Sequence, residues 1–368
     1  MTAALPRNVG IVRGSVAAYT IPTDAPESDG TLEWDSTTLV VVSLEAAGCQ
    51  GTGYTYADSA TATLVHDRLL PLLQGRDPLD IPALFVAMAR AIRNLGRPGI
   101  ASMAISGVDN ALWDLKAKIL GCSLAQLLGA ANDSIPAYGS GGFTSYSREQ
   151  LEAQLGGWAR DGLRFVKMKA GRSPHEDPAR VSQARAAIGE ACELFVDANG
   201  GYSRKQALEN AERFAEARVT WFEEPVSSDD LEGLRLLRDR SPAGMAVSAG
   251  EYGYDLFYFR RMLEAQAVDV LQADATRCGG ITGFMAAGAL VDAFGIPLSS
   301  HCAPTLHIAP CCAAARAVHL EYFHDHVRIE RMLFDGFIEP RDGLLASDRS
   351  RPGLGITFKE RDAERYRI

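Results

Sequence analysis

Two patterns of hydrophobic and polar residues divide the chain near residue 130. Before that point, a β-rich run at 37–46 precedes segments whose apolar residues recur at the spacing of an amphipathic helix. Those segments are 59–74, 82–95 and 101–120. Residues 1–130 are therefore predicted to form an α+β domain. Residues 21–36 are rich in Pro, Asp and Gly, which predicts a loop that is either a functional flap or a disordered segment.

From residue 131 to about residue 340, short apolar or β-branched runs alternate with helical segments, which is typical of consecutive βα units. Eight runs predict strands: IPAYGSG, RFVKMKA, LFVDAN, TWFEEP, MAVSAGE, VDVLQAD, IPLSSH and VHLEY. Eight strands with intervening helices indicate an α/β fold, a modified TIM barrel of the (β/α)7β kind, rather than an open sheet. The glycines of GSGGF at 139–143 lack the spacing of a dinucleotide-binding loop.

Most of the predicted strands are apolar until their last residue or two, where an ionisable residue occurs. These residues are Lys169, Asp197, Glu223, Glu251, Asp274, His301 and Glu321. Any one of them alone could be a solvated loop charge or a helix cap. The carboxyl ends of parallel barrel strands meet at one mouth, so seven such residues at equivalent points predict a single polar cavity.

Three of these residues suggest a metal site. Asp197, Glu223 and Glu251 are carboxylates from consecutive strands, and they would repel one another unless a cation lay between them. Ligands that offer only oxygen favour a hard divalent ion such as Mg²⁺ over zinc. The alternative zinc motif, His324 with His326, lies near the last predicted strand, and we interpret it as an exposed loop.

The other residues are candidate acids and bases. Lys167 and Lys169 are two apart on one strand, so both should point into the barrel and lower each other's pKa until one can act as a base. Salt bridges to the carboxylates are the alternative role for this pair. Asp274 and His301 end neighbouring strands, so the carboxylate can raise the basicity of the imidazole. Glu321 should lie near a bound anion, where its protonated form would donate a hydrogen bond.

Composition and charge narrow the function classes. The 368 residues carry a net charge of −9, which gives no positive field for nucleic acid or a membrane surface but permits a small carboxylate substrate beside a bound cation. No apolar stretch approaches the about 20 residues of a membrane span, and the chain start lacks a secretory signal, so we expect a cytoplasmic protein. The seven scattered cysteines form no CxxC pair and are expected to be reduced.

A hard cation with a base on each side is suited to removing a proton from the carbon next to a carboxylate. A positioned base supplies about 3–5.5 kcal/mol, whereas enzymes lower barriers by about 8–23 kcal/mol. The metal must therefore contribute most of the stabilisation. Lys167 and Glu321 would assist it as negative charge develops on the enediolate oxygens.

Six motifs resemble, in order and spacing, those of the mandelate racemase subgroup of the enolase superfamily. The motifs are VKMKAG, VDANGGY, FEEPV, AGE, LQADATRCGG and SSHCAP, and the resemblance covers nearly the whole chain. It implies that Asp197, Glu223 and Glu251 bind Mg²⁺, while Glu224 lies behind the ligands.

The resemblance also implies roles for the acid and base residues. Lys169, the second lysine of the KxK motif, is implied as the base. Lys167 is implied to adjust the pKa of Lys169 and to contact the substrate carboxylate. His301 with Asp274 matches the family's dyad, and Glu321 matches its electrophilic glutamate.

The family's substrate contacts and cap correspond to further segments of this chain. Ser140 and Asn199 match residues that contact substrate in the family. An N-terminal capping domain is implied, whose loops at 21–36 and about 51–58 would cover the barrel mouth. Residues 341–368 resemble a C-terminal segment that returns to that domain. The resemblance also implies a homo-oligomer.

Bases on both sides of a carbon permit more than one reaction. They could racemise or epimerise a 2-hydroxy acid, or His301 could assist loss of a β-hydroxyl and give a 2-keto-3-deoxy acid. Most family members with this residue set resemble acid-sugar dehydratases, and the acidic residues of 21–36 suit a hydroxylated substrate, so we favour dehydration, a lyase reaction. Cycloisomerisation of a sugar lactone is a third possibility, and a barrel that binds a sugar acid without turnover is the alternative from a different class.

Overall fold

The computed structural model describes residues 9–368. The chain start, for which no secretory signal is expected, falls in part on residues 1–8 and so lies outside the described residues. None of the helices in the described part of the chain is both long and apolar enough to cross a bilayer.

The N-terminal part is a three-stranded antiparallel sheet with helices packed on it, which confirms the predicted α+β cap. Its strands are ordered β1 (Arg13–Ser28), β2 (Glu33–Ala46) and β3 (Cys49–Tyr56). The helices are α1 (Ala60–Leu64), a π-helical turn (Val65–Leu69), α2 (Leu70–Leu73), α3 (Ile81–Ala91), α4 (Ile100–Ile119) and α5 (Leu124–Leu128).

Helix α4 lies directly against β3 because glycine on the strand leaves no side chain between them. A Cβ atom at Gly53 would lie 2.2 Å from the backbone nitrogen of Ala111, and one at Gly51 would lie 2.4 Å from the Cβ of Leu115. The close approach buries the apolar face of α4 against the sheet, so the cap has a hydrophobic core of its own.

The two predicted loops of the cap are largely strand, so this part of the prediction was wrong. Residues 21–36 form the outer half of the β1–β2 hairpin, where Pro22 pairs with Ser36 and the register then shifts before Glu27. Such an irregularity tolerates proline and acidic residues because its positions do not form a regular ladder, and these residue types had suggested a loop. In the segment 51–58, residues 51–56 belong to strand β3.

Eight parallel strands follow and close into a barrel, which confirms the predicted fold. The strands are β4 (Ile135–Gly141), β5 (Phe165–Lys169), β6 (Glu193–Asp197), β7 (Val219–Glu223), β8 (Ala246–Ala249), β9 (Val270–Ala273), β10 (Leu298–Ser300) and β11 (Ala317–Phe323). Neighbours in sequence are neighbours in the sheet, and β11 pairs with β4 to complete the circle.

A helix follows each barrel strand. They are α6 (Arg148–Arg160), α7 (Asp177–Ile188), α8 (Arg204–Glu216), α9 (Leu231–Arg240), α10 (Leu256–Glu264), α11 (Gly280–Phe294), α12 (Pro304–Ala313) and α13 (His324–Leu333). Serine capping boxes at Ser147 and Ser203 begin α6 and α8. These caps fix where α6 and α8 start, and so they also fix the ends of the two loops that lead from the barrel mouth into these helices.

Aromatic side chains fill the barrel below the mouth. Tyr138, Phe195 and Trp221 are buried there, and the rings of Phe195 and Trp221 stack with centroids 5.0 Å apart. His319 makes edge contacts with these rings, and its burial lowers its pKa to about 4, so it is neutral. The barrel is therefore a packed core, and the polar residues at the strand ends lie on an apolar floor.

The C-terminal residues contact both the barrel and the cap. They contain β12 (Phe334–Asp335), β13 (Leu344–Leu345), β14 (Thr357–Phe358), α14 (Glu360–Ala363) and a 3₁₀ turn (Glu364–Tyr366). Strand β13 pairs with β4 of the barrel. The N–H of Leu354 donates to Asp114 of α4 at 2.7 Å, and the N–H of Ile368 donates to the carbonyl of Ala18 at 3.1 Å.

Candidate active site

A cavity of about 540 Å³ lies at the carboxyl ends of the barrel strands, under the cap hairpin. The barrel contributes Lys169, Glu251, Asp274, His301 and Glu321 to its lining. The cap contributes Asp29, Leu32, Trp34, Ser36, Tyr56 and Asp58. The remaining strand-end residues, Asp197 and Glu223, are fully buried beside it. The parallel arrangement thus brings all seven strand-end residues to one place, although they are spread over 150 positions of sequence.

The three carboxylates predicted as metal ligands converge. Asp197 ends β6, Glu223 ends β7 and Glu251 follows β8, and each offers an oxygen within 4.8 Å of the others. All three side chains are at most 3% exposed. The N–H of Asn199 donates to Asp197 Oδ1 at 2.9 Å, and Trp221 Nε1 donates to Glu223 Oε2 at 2.9 Å. These contacts fix two carboxylates while leaving oxygens that face the cluster.

Both lysines of the KxK motif point into the barrel, as the period of two predicts. Lys167 is fully buried, donates to Glu223, and lies 2.8 Å from Glu321 Oε1 and 3.5 Å from Asp197 Oδ2. Lys169 donates to Asp197 Oδ2 at 2.6 Å and reaches the cavity. Asp197 therefore lies between the two ammonium groups.

The expected depression of the lysine pKa values is outweighed by the carboxylates. Burial disfavours the charged form of Lys169, and Lys167 also lowers its pKa, but Asp197, Glu251 and Glu223 raise it above the usual value. The pKa of Lys167 is raised in the same way, chiefly by Glu223 and Glu321 against its burial. In this arrangement the lysines are the counterions of the carboxylates, which is the salt-bridge alternative of the sequence analysis.

The donor set suits a hard divalent cation. Burial and the charge of Asp197 raise the pKa of Glu223 to about 8, so a further positive charge at the cluster is needed to keep this carboxylate ionised at neutral pH. Oε2 of Glu251 is buried, yet it makes no hydrogen bond with any of residues 9–368. Because the donors are carboxylate oxygens, Mg²⁺ fits better than zinc, and a bound divalent cation would weaken the pull of these carboxylates on the lysines.

His301 and Asp274 form a close pair, as their neighbouring strands predict. His301 Nδ1 lies 2.8 Å from Asp274 Oδ2, and the N–H of Thr276 donates to Asp274 Oδ1 at 2.6 Å. Burial alone would lower the pKa of His301, but Glu251 and Asp274 raise it above its usual value. Nε2 of His301 lies 3.4 Å from Glu251 Oε2. The pair can therefore present a protonated nitrogen to the cavity.

Glu321 lies at the cavity, where the sequence predicts, and it faces Lys167. Its Oε1 is 2.8 Å from Lys167 Nζ, and its Oε2 accepts from the N–H of Cys302 at 2.7 Å. Burial alone would raise the pKa of Glu321, but Lys167 and His301 lower it well below its usual value. Lys167 therefore favours the ionised form of Glu321, and the protonated, hydrogen-bond-donating form expected beside a bound anion stays a prediction.

The two predicted substrate contacts differ in position. Asn199 lines the cavity in a left-handed conformation (φ 44°), and its Oδ1 is buried without a hydrogen-bond partner among the described residues. Ser140 is the last residue but one of β4, lies in register with Lys167 and is fully buried, and its Oγ also has no partner within residues 9–368. A role in substrate binding stays a prediction for both.

Sequence reasoning missed several residues of the cavity, and three of them contact or adjoin the predicted site residues. Arg277 lies 3.5 Å from Glu251 Oε1 and 3.7 Å from Asp274 Oδ2, and Cys302 Sγ lies 3.3 Å from His301 Nε2. His326 also lines the cavity. The motifs ADATRCGG and SSHCAP place Arg277 and Cys302 beside predicted site residues, which is the signal that could have identified them.

The HxH pair is not an exposed loop, so that interpretation was wrong. His324 begins α13 directly after β11, and His326 is only 8% exposed. His324 Nε2 instead contacts Asp24 of the cap hairpin at 3.0 Å. Because the two histidines lie on a helix that passes under the cap, they face different surroundings.

The cysteines are unpaired throughout the chain, as expected for reduced thiols. Five of the seven are buried: Cys192, Cys278, Cys302, Cys311 and Cys312.

Comparison with known proteins places both parts of the chain in one family. The family profile "Mandelate racemase / muconate lactonizing enzyme, N-terminal domain" matches residues 20–129, and the profile "Enolase C-terminal domain-like" matches residues 150–363.

Curated relatives match along most of the chain. The L-talarate/galactarate dehydratase of Salmonella typhimurium is 32% identical over 319 residues, which cover 85% of this chain and 78% of that protein. The 3,6-anhydro-α-L-galactonate cycloisomerase of Streptomyces coelicolor is 30% identical over 353 residues, or 94% of this chain and 96% of that protein.

Solved structures agree with this assignment. A mandelate racemase/muconate lactonizing enzyme-like protein from Rubrobacter xylanophilus has a TM-score of 0.95 and 52% identity, over 98% of this chain and 100% of that chain. The Salmonella dehydratase, liganded with Mg and L-lyxarohydroxamate, has a TM-score of 0.90 and 28% identity, over 100% and 95%. The chain belongs to the mandelate racemase and muconate lactonizing enzyme family of the enolase superfamily.

Proposed function

We propose that this chain catalyses the Mg²⁺-dependent dehydration of an acid sugar to a 2-keto-3-deoxy acid, beginning with removal of the proton next to the carboxylate. One observation carries the proposal: Lys169 and His301 border the carboxylate cluster from opposite ends. Lys169 contacts Asp197 at 2.6 Å, whereas His301 lies 3.4 Å from Glu251. In the barrel circle, β5 and β10 are three strands apart by the shorter route. A substrate held at the cluster would therefore meet one group on each face.

The donor set supports Mg²⁺ as the metal, with Asp197, Glu223 and Glu251 as its ligands. The Salmonella relative was crystallised with this ion. When bound, Mg²⁺ supplies positive charge for the substrate carboxylate, whose electron density rises as the neighbouring proton leaves. Lys167 adds a second positive charge at the same end of the substrate, held there by Glu321.

The acid and base steps follow from the contacts of two residues. Lys169 Nζ, in its neutral form, takes the proton from C2 of the substrate. Nδ1 of His301 is occupied by Asp274, so Nε2 is the nitrogen that faces the substrate. Protonated His301 gives the Nε2 proton to the hydroxyl group on C3, the C3–O bond breaks, and water leaves. The enol that remains takes up a proton at C3 and becomes the keto acid.

The charges around the cavity favour a monocarboxylic acid sugar over a dicarboxylic one. The cap side of the lining carries hydroxyl, aromatic and acidic groups, including Asp29 and Asp58, and no lysine or arginine among the described residues. On the barrel side of the described lining, Lys169 and His301 act at C2 and C3, and Arg277 already faces Glu251 and Asp274. A second substrate carboxylate would therefore lack a counterion, whereas sugar hydroxyl groups would find acceptors.

The test is incubation of the protein and Mg²⁺ with a library of mono- and dicarboxylic acid sugars, with detection of 2-keto-3-deoxy acids. We expect turnover of one or a few monocarboxylic acids and higher KM values for dicarboxylic acids of equal length. Turnover of none of the library members, together with no exchange of the C2 proton with solvent deuterium, would overturn the proposal and favour a barrel that binds without catalysis.

Racemisation of a 2-hydroxy acid is a second candidate, because the same two groups on opposite faces could remove a proton from one side and return it on the other. Cycloisomerisation of a sugar lactone shares the first step, and the Streptomyces relative is named for such a reaction. Exchange of the C2 proton without formation of a keto acid would point to racemisation. A change of ring form without loss of water would point to cycloisomerisation.

A further inference from the structure

His326 is held rigidly at the edge of the cavity by contacts on three sides. Its ring stacks on Tyr56, with centroids 3.4 Å apart and planes within 11° of parallel. The ring of Phe323 meets it at 85°, with centroids 5.1 Å apart. The N–H of Ala303 donates to His326 Nδ1 at 3.2 Å. Tilting the ring out of its plane would lose the two aromatic contacts, and flipping it by 180° would lose the contact with Ala303.

The contact with Ala303 decides which nitrogen of His326 carries the proton. A backbone N–H can only donate, so Nδ1 must be an unprotonated acceptor, and the neutral ring carries its hydrogen on Nε2. Burial, with a smaller effect of His301, lowers the pKa of His326 to about 3, so the ring is neutral near pH 7. Nε2–H has no acceptor among the described residues, while His326 lines the cavity. His326 is only 8% exposed, and a donor on a residue this largely buried is normally satisfied by a partner, here one bound in the cavity.

A second layer of contacts keeps the ring in place. Glu330 is fully buried, and its Oε1 accepts from Tyr54 at 2.9 Å and from Tyr56 at 3.4 Å. Its Oε2 accepts from the N–H of Thr305 at 2.9 Å. This glutamate thus ties strand β3 of the cap, which supplies the stacking tyrosine, to the start of α12 in the barrel. The donor is preorganised before any ligand arrives.

We infer that Nε2–H of His326 donates a hydrogen bond to a substrate hydroxyl group beyond C3, so that the site selects polyhydroxy acids over short 2-hydroxy acids. The inference rests on the proposed function. A hydroxyl oxygen suits this donor better than a carboxylate because the neutral ring brings no charge to balance an anion. His326 is therefore a substrate-binding residue outside the set of strand-end groups.

The test compares two substitutions that each keep one half of the imidazole. His326→Asn keeps an acceptor near the position of Nδ1 for the N–H of Ala303 but does not reach the position of Nε2. His326→Gln places an amide donor near Nε2. We expect the Asn variant to lose roughly tenfold in kcat/KM for the best polyhydroxy acid, the size of one neutral hydrogen bond. Glycerate, which ends at C3, should show no such loss, and the Gln variant should recover most of the activity toward the polyhydroxy acid.

Two results would overturn the inference: an Asn variant as active as the wild type on the polyhydroxy acid, or an equal loss on that acid and on glycerate. The second result would mean that His326 only supports the loop that carries Ala303. A measurement on the wild type avoids any folding defect of the variants. The ¹⁵N resonance of His326 Nε2 should shift when galactonate, arabinonate or gluconate is added with Mg²⁺, and glycerate should leave it unchanged.

The same experiments separate this inference from the proposed function. The inference alone would be contradicted if the wild type dehydrates a polyhydroxy acid but the ¹⁵N resonance of His326 does not shift with that acid. The same holds if the His326 variants lose no activity toward it. A wild type that turns over no acid sugar would contradict the proposed function. The ¹⁵N shift would then still decide whether His326 binds a hydroxyl group, since it reports binding and not turnover.

Discussion

Asp274→Asn should disable His301 as an acid while leaving the lysine side of the site intact. The amide oxygen of the new residue must stay at the Oδ1 position, because the N–H of Thr276 donates there at 2.6 Å. The amide NH₂ then replaces Oδ2, which lies 2.8 Å from His301 Nδ1. Two donors would face each other if His301 were protonated, so its pKa should fall and its Nδ1 should become an acceptor.

The size of this effect follows from the two contacts that change. Loss of a charge-assisted hydrogen bond costs about 1.5–3 kcal/mol, and an unsatisfied buried donor costs about 1–3 kcal/mol more. The sum, about 2.5–6 kcal/mol, corresponds to a loss of about 10²–10⁴ in the rate of dehydration. His301 must be protonated to act as the acid. As the pH rises, the activity that remains in the variant should therefore be lost at a lower pH than in the wild type.

The assay follows two rates in the same sample: formation of the keto acid, and exchange of the C2 proton with deuterium by NMR. Dehydration should fall while exchange, which needs Lys169, continues. Asp269→Asn is the matched control, since Asp269 lies just before β9, pairs with Arg238 at 3.0 Å, and is remote from the cavity lining. Dehydration at the wild-type rate in Asp274→Asn, or an equal loss of both rates, would refute the reasoning.

Three further predictions concern the base, the metal and the cap. Lys169→Met should abolish both C2 exchange and dehydration, with a loss in rate of at least about 10²–10⁴. Calorimetry should still detect Mg²⁺ binding to this variant. Measurable exchange of the C2 proton would exclude Lys169 as the base. Removal of divalent cations with EDTA should stop turnover and added Mg²⁺ should restore it, so turnover that persists in the chelator would contradict the metal assignment. Gly53→Ala should destabilise the protein by about 1–3 kcal/mol in urea unfolding, because its Cβ would lie 2.2 Å from Ala111 N. Gly107→Ala, whose Cβ would lie 3.4 Å from Thr55, should be neutral or stabilising, and equal effects of the two substitutions would contradict the packing argument.

The barrel and the seven converging residues could be predicted because they depend on local pattern. Each strand is a short apolar run with one ionisable residue near its end, and parallel closure then brings those ends together whatever lies between them. The cap hairpin could not be predicted in this way. Pro22 and the acidic residues around it are typical of a loop, and they become part of a hairpin only because β1 pairs with β2.

The charge states of the site depend on distances that a sequence does not contain. The spacing of Lys167 and Lys169 predicts that they share a face, but their pKa values are set by Asp197, Glu223 and Glu321. For the same reason the pKa of Glu321 is lowered by Lys167 although burial alone would raise it. His326 was missed because its role depends on a stacked tyrosine and a backbone N–H that are distant in sequence or carry no side-chain signal.

The central claim is geometric: a divalent cation held by Asp197, Glu223 and Glu251, with Lys169 and His301 on opposite faces of the substrate. The most direct test is a crystal structure with Mn²⁺ in place of Mg²⁺ and an unreactive analogue of the acid sugar, with the ion located by anomalous scattering. We expect one ion bound to the three carboxylates, with Lys169 Nζ and His301 Nε2 on either side of the C2 position. An ion bound elsewhere, or both nitrogens on the same side of C2, would contradict the account.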